Sequence, residues 1–347
     1  MSFASRYHAG EWVEVKSKEE ILATLDARGS LEGLPFMPEM LRYCGKRIRV
    51  TRSAHKTCDT INKTGGRRVL AAAHLEGVRC DGSAHGGCQA SCLIYWKDAW
   101  LRPARQDAPL PAAASAEPQP DDAGLAKHAS SIKEGESEPT YRCQGTQLFA
   151  ASIPLSPLNP RQYWADVRSG NVTGREAVKW LFLAMLYNLR RLGIGYRIAV
   201  SIHEYAHRKL VGRPAPYARG TVPAGTPTPL VVENLQVGDV VQVKSHAEIL
   251  ATLNARNLNR GLSFDKEMVR YCGQQFRVGE RVMRIVNEQT GKMMEFGRPS
   301  YILDGALCTG QYSERRLLCP RLITPYWREA WLTKVEGAKP SPPSQTP

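Results

Sequence analysis

Three cysteines, a histidine and three glycines fall within thirteen residues in the stretch CDGSAHGGCQASC, Cys80 to Cys92. Thiolates and imidazoles are the ligands zinc takes most readily, four at a time in a tetrahedron. Cys88 and Cys92 stand four apart, so they share a face on a helix and can converge in a loop. Gly82, Gly86 and Gly87 let the intervening backbone turn sharply at little steric cost. Cys80 supplies a third ligand, and the fourth is either Cys58, in KTCDT, or His85 within the loop. The expected site is therefore Cys58, Cys80, Cys88 and Cys92, and the expected ion is zinc. Buried structural thiols and reactive thiols are competing readings of the same residues.

A second constellation is HEYAH, His203 to His207. On a helix its two histidines share a face and can bind zinc, leaving Glu204 as general base on a metal-bound water. Against this, Arg208 places a cation beside the metal, and no third ligand stands at a recognisable spacing. A third candidate is electrostatic. The chain carries +14 overall, and residues 141–230 hold twelve Lys and Arg against three Asp and Glu. Arg190, Arg191, Arg197, Arg208 and Lys209 flank an apolar helix bearing Trp180, Phe182 and Tyr187. That pattern suits an anionic membrane surface or a nucleic-acid backbone. The alternative is an apolar face packed in the core with its arginines solvated.

The elements that must position these residues occur twice. GEWVEVKSKEEILATLDAR starts at Gly10 and GDVVQVKSHAEILATLNAR at Gly238; over 36 positions ending at Gly45 and Gly273, 22 are identical. The same offset carries Cys80 onto Cys308. After a three-residue insertion it aligns Cys88 with Cys319, Trp96 with Trp327 and Trp100 with Trp331. Each copy is a module of about a hundred residues, the size of a small domain. Val13 and Val15 alternate with polar neighbours as a strand. Ser17 with Glu20 reads as a capping box opening a helix through Ile21, Leu22 and Leu25, which Gly29 can end. KRIRVTR and RRVLAAAHLEGV read as further strands, and YWKDAWL and YWREAWL close the modules. The paired tryptophans suit core packing better than a stacking platform. The second copy has Val286 opposite Cys58 and Ile323 opposite Cys92, so it cannot build the same metal site.

The expected fold is mixed β/α, with two small Src-homology-3-like barrel modules flanking a helical middle segment. The expected divisions are a first module at 1–103, a disordered linker at 104–140, a basic helical segment at 141–230, a second module at 231–337 and a disordered tail at 338–347. Linker and tail are rich in Pro, Ala, Ser and acid, and cannot bury enough apolar surface to offset their ordering entropy. The opening Gly-acidic-x-Val-x-Val resembles the first strand of Src-homology-3-like barrels. CDGSAH is similar to the iron–sulfur signature Cys-Asp-Gly-Ser-His, but an inserted alanine and a missing upstream Cys-x-Cys place an iron–sulfur cluster behind zinc. VKSKEEILATL, RYCG, LEGVRCDGSAHGGC and CPRLITPYWREAWL resemble phrases of bacterial proteins of unknown function, over both modules. That resemblance implies no activity and no site residues.

The start MSFASRYHAGEW has no apolar core of a secretory signal. The longest apolar run, Trp180 to Tyr187, is far short of a transmembrane segment. Nine cysteines without a signal point to cytoplasmic thiols or metal ligands rather than disulfides. The resulting expectation is a cytoplasmic, non-enzymatic zinc protein acting in macromolecular interaction or as an accessory factor. The alternatives are a zinc hydrolase using HEYAH, and anionic-membrane or nucleic-acid binding through the basic segment.

Overall fold

Alternation in WVEV places Val13 and Val15 on one side of the first strand, and both are fully buried. The strand Trp12–Val15 pairs antiparallel with Arg47–Ser53, setting Val13 opposite Ile48, and with Leu101–Pro103, setting Val15 opposite Leu101. Ala72–Arg79 and Leu93–Lys97 continue the sheet outward from Arg47–Ser53, giving five antiparallel strands. The computed structural model describes residues 4–105, 124–132, 135–189, 196–313 and 315–335.

The second copy repeats this register. Val241 lies opposite Phe276 and Val243 opposite Leu332, the positions equivalent to Val13–Ile48 and Val15–Leu101. Its sheet has four strands, Met293–Leu303, Gln275–Val286, Val240–Val243 and Leu332–Lys334 in that order. Both sheets are curled antiparallel half-barrels within a mixed α/β chain. Each carries the short helix read from its capping box, Lys18–Leu22 after Ser17 and His246–Leu250 after Ser245. In both, the serine hydroxyl accepts from the third helical amide while the glutamate there reaches back.

The closing tryptophans are core. Trp96, Trp100, Trp327 and Trp331 have no exposed surface. Phe36 meets Trp96 and Trp100 edge-on, and Phe264 meets Trp327 and Trp331 the same way. The indole N–H of Trp100 donates to Thr24 and that of Trp331 to Thr252, whereas the indole nitrogens of Trp96 and Trp327 are buried without a hydrogen-bond partner. Burial of an apolar side chain of this kind contributes about 1.5–3 kcal/mol or more.

By contact the chain forms two units: Met1–Ala177 with Arg284–Glu295 and Arg315–Leu322, and the remainder. The second copy's hairpin strands run to 12 and 11 residues, against 7 and 8 in the first. Arg284–Glu295, around the turn of that hairpin, and Arg315–Leu322 belong to the first unit. That unit also holds a small sheet in the order Ser152–Leu155, Gly66–Val69, Lys56–Cys58. Much of the expected linker, 106–123, lies outside the described residues. Beyond it Ala126–Ala129 is a helical turn, with Leu125 and Ala129 buried. Helices then occupy Pro160–Arg168, Gly174–Leu189 and Tyr196–Val211.

Candidate metal centre

Pro38 pre-sets the first turn of a 3₁₀ helix, Pro38–Tyr43, whose Met40 is fully buried. This turn carries Glu39 inward with its side chain fully covered. Cys80 follows the strand Ala72–Arg79, and its amide is fixed to the Cys92 carbonyl at 2.8 Å. The intervening loop is tight: the amides of His85 and Gly87 both bond the Gly82 carbonyl. Gly82 sits at φ +69°, and a Cβ there would lie 2.0 Å from the Cys88 carbonyl oxygen. Gly86, at φ +62°, would meet the Tyr141 hydroxyl at 2.3 Å. These two glycines fold the loop back so that His85 reaches the interior.

The three side chains converge. Cys80 Sγ donates to Glu39 Oε1 at 3.0 Å, and His85 Nδ1 lies 3.0 Å from the same oxygen. The other ring nitrogen, Nε2, is 3.3 Å from the Arg142 carbonyl. Glu39 Oε2 is buried with no hydrogen-bond partner. Among the described residues, Glu39, Cys80 and His85 are the group of three potential ligands whose donor atoms all lie within 4.8 Å of one another. Burial alone would raise the Glu39 pKa, but the hydrogen bond and charge of His85, helped by Cys80, hold it below the ordinary value. Burial, reinforced by the neighbouring Glu39 charge, pushes the Cys80 thiol far up. Carboxylate, thiolate and imidazole are each zinc ligands at about 2.0–2.3 Å, and a cation here would satisfy Oε2 and draw off the Cys80 proton. Cys80 and His85 line a pocket of about 480 Å³, counting its open mouth, together with Cys88, Cys92, Cys143 and Arg321.

Of the expected four-cysteine set, Cys80, Cys88 and Cys92 line this one pocket together with the alternative ligand His85. Cys80 and the alternative ligand His85 meet at Glu39. Cys58 ends the strand Lys56–Cys58, where the thiol of Cys319 donates to it. That bond, with the Arg321 and Arg316 guanidinium groups, outweighs burial and holds the Cys58 thiol below the ordinary value. Cys88 Sγ accepts from the Val286 amide at 3.2 Å. Burial pushes the Cys92 thiol up to about 12 against the pull of Arg321. All nine cysteines are described, and none forms a disulfide. Cys44 and Cys272, half-buried in the shared RYCG, are pushed up to about 11 by burial.

The second copy explains why Glu39 escaped notice. Its equivalent, Glu267, is one of the 22 identities and is also buried. Glu267 accepts from the Tyr312 amide at 2.6 Å and from the hydroxyls of Thr309 and Ser313. A buried acid reaching the loop after the shared cysteine is thus common to both modules. The first has a thiol and an imidazole on that acid. An acidic residue retained through the repeat beside buried neighbours was the available signal.

HEYAH lies on the helix Tyr196–Val211, with His203 and His207 buried. His203 packs against the Tyr187 and Tyr217 rings. His207 uses both nitrogens, Nδ1 at 2.8 Å from the Arg213 carbonyl and Nε2 at 3.0 Å from the Tyr312 hydroxyl. Glu204 accepts from the Ala215 amide and faces Arg208 at 3.6 Å. These contacts account for the three side chains as a helix-to-loop clasp, and they hold the carboxylate on a backbone amide. Of the proposed anion-binding cations, Arg190, Arg191 and the Arg197 side chain lie outside the described residues. Arg208 and Lys209 are exposed. Trp180 and Tyr187 are buried, whereas Phe182 faces solvent.

A further buried cluster carries no sequence signature. Lys56 Nζ donates to Asp166 Oδ2 at 2.5 Å and to the Leu317 carbonyl at 2.8 Å. His55 Nε2 stands 3.1 Å from Asp166 Oδ1, and Ser53 Oγ is 3.3 Å from His55 Nδ1. Ser53, His55 and Asp166 have no exposed surface, so this serine, histidine and carboxylate ties the small sheet to the helix Pro160–Arg168 rather than meeting solvent.

Comparison with protein-family models, with curated proteins and with solved structures gives no match.

Proposed function

We propose that the chain is a non-enzymatic zinc-binding protein whose first module holds the ion through Glu39, Cys80 and His85. The observation that carries this reading is the convergence of three zinc ligands on one buried point, with Glu39 Oε2 left unsatisfied there. A bound cation would fasten the Cys80–Cys92 loop to the 3₁₀ turn at Pro38–Tyr43, so its binding free energy would be folding free energy. The role is that of a staple, consistent with Glu39 and His85 buried and Cys80 half-buried. The second module reaches the same end with a backbone amide and two hydroxyls, and needs no metal. Both modules are read as Src-homology-3-like barrels that present loops to a macromolecular partner. Nine described cysteines, none of them in a disulfide, fit a reducing, cytoplasmic setting.

The test is metal analysis of protein purified under reducing conditions and loaded with zinc. Stoichiometric zinc that is lost in Cys80→Ser with His85→Ala, and kept in Cys58→Ser, is the expected result. Absence of zinc from the loaded wild type, or its retention in the double variant, overturns the proposal.

A further inference from the structure

Two helices, Tyr196–Val211 and Gly174–Leu189 from Val178 onward, lie in the second unit and leave a second apolar side in water. On Gly174–Leu189, Val178, Phe182, Met185 and Leu189 are 69%, 42%, 52% and 43% exposed. Their spacing of four, three and four residues draws one stripe along the helix. The opposite side, through Trp180, Leu183 and Leu186, is already buried. The helix is therefore apolar on two sides, although only one is needed for the core. On Tyr196–Val211, Ile198, Ile202 and Tyr205 are 67%, 49% and 67% exposed at the same spacing, while His203 and His207 face inward. The two helices pack together where the Tyr187 and His203 rings meet. Contiguous exposed apolar surface of this kind marks a place where something docks.

Charge identifies the occupant. Residues 178–230, which belong to the second unit, carry eight basic side chains and one acidic one. Exposed Arg208 and Lys209 sit on the second helix, with Lys209 Nζ 5.8 Å from the Tyr205 ring. A second copy would bring the same excess of positive charge against the first. A nucleic acid would take the cations but has no use for valine, methionine, leucine and isoleucine in rows. An anionic lipid surface takes both, the acyl boundary receiving the apolar stripe and the headgroups the cations. No described helix is long and apolar enough to cross a membrane, so the helices would lie in the interface.

We propose that the exposed faces of these two helices dock the protein peripherally on an anionic membrane surface. The experiment is flotation of the full chain with vesicles of phosphatidylcholine alone and of phosphatidylcholine with phosphatidylserine. The wild type is expected to float with the anionic vesicles at least about tenfold more strongly than with the neutral ones, and to weaken as salt is added. Phe182→Ser with Ile202→Ser should cut binding by about tenfold or more while far-UV circular dichroism stays unchanged. Val178→Ser with Met185→Ser repeats the test at the more exposed positions, should the first pair fail to fold. Arg208→Gln with Lys209→Gln should lower anionic binding and its salt dependence. Three results overturn the proposal: no preference for anionic vesicles, binding unchanged in both folded serine pairs, or a self-association that the serine pairs abolish without any vesicle binding. Salt-sensitive nucleic-acid binding in a gel shift, indifferent to the serine pairs and unaccompanied by flotation, overturns it equally.

Discussion

Replacing Glu39 by glutamine, with the same change at Glu267 as control, separates a metal staple from a buried hydrogen-bond hub. Both carboxylates are buried, and both gather donors from the loop after a shared cysteine. Glutamine is nearly isosteric and keeps one acceptor. In zinc-free protein each variant should therefore lose about one hydrogen bond to a charged group, roughly 1.5–3 kcal/mol. Zinc breaks the symmetry. At a free concentration a hundredfold above its dissociation constant it adds about 2.7 kcal/mol to a protein that binds it only when folded. For a unit of this size that is roughly 5–10 °C in melting temperature. Wild type and Glu267→Gln should show that rise, measured by thermal unfolding with zinc and with chelator. Glu39→Gln should show little of it. Equal melting temperatures of the wild type with zinc and with chelator, or a full zinc response in Glu39→Gln, refute the reasoning.

Three other outcomes follow from buried side chains. Trp96→Ala empties a site flanked edge-on by Phe36 and Tyr43 and should cost about 3–5 kcal/mol in denaturant unfolding, whereas Trp164→Ala, at 69% exposed, should stay within about 0.5 kcal/mol. Burial lowers His74 from 6.5 to about 3, so its contribution to stability is complete above the unfolded value and is lost as pH falls from about 6.5 towards 3. The second copy has Ile302 at that position, and His74→Ile should flatten the loss in unfolding curves recorded across this range. His207→Ala should cost about 1–3 kcal/mol by breaking its bonds to the Arg213 carbonyl and Tyr312 hydroxyl, and should leave the zinc content of loaded protein unchanged by elemental analysis.

The sequence by itself determined what depends on neighbours along the chain. Duplication set two sheets with the same register, because the alternation of Val13 and Val15 recurs at Val241 and Val243. Ser17 with Glu20 and Ser245 with Glu248 announced their helices, since a capping box closes within one turn. The loop glycines were legible as sites of sharp turning. What surrounds a buried point was not, because coordination gathers side chains that the chain brings together only when folded. Glu39 reaches Cys80 across 41 residues, and Cys58 meets Cys319, a residue of the other copy. HEYAH spaced two imidazoles on one helical face, but the Arg213 carbonyl and Tyr312 decided what His207 bonds, and the Tyr187 and Tyr217 rings what His203 meets. Helical periodicity likewise placed Phe182 with Trp180 and Tyr187 as apolar, and only the tertiary structure decided which side was buried. A helix fixes the angle between its side chains, whereas the direction of the core is fixed by everything packed around it.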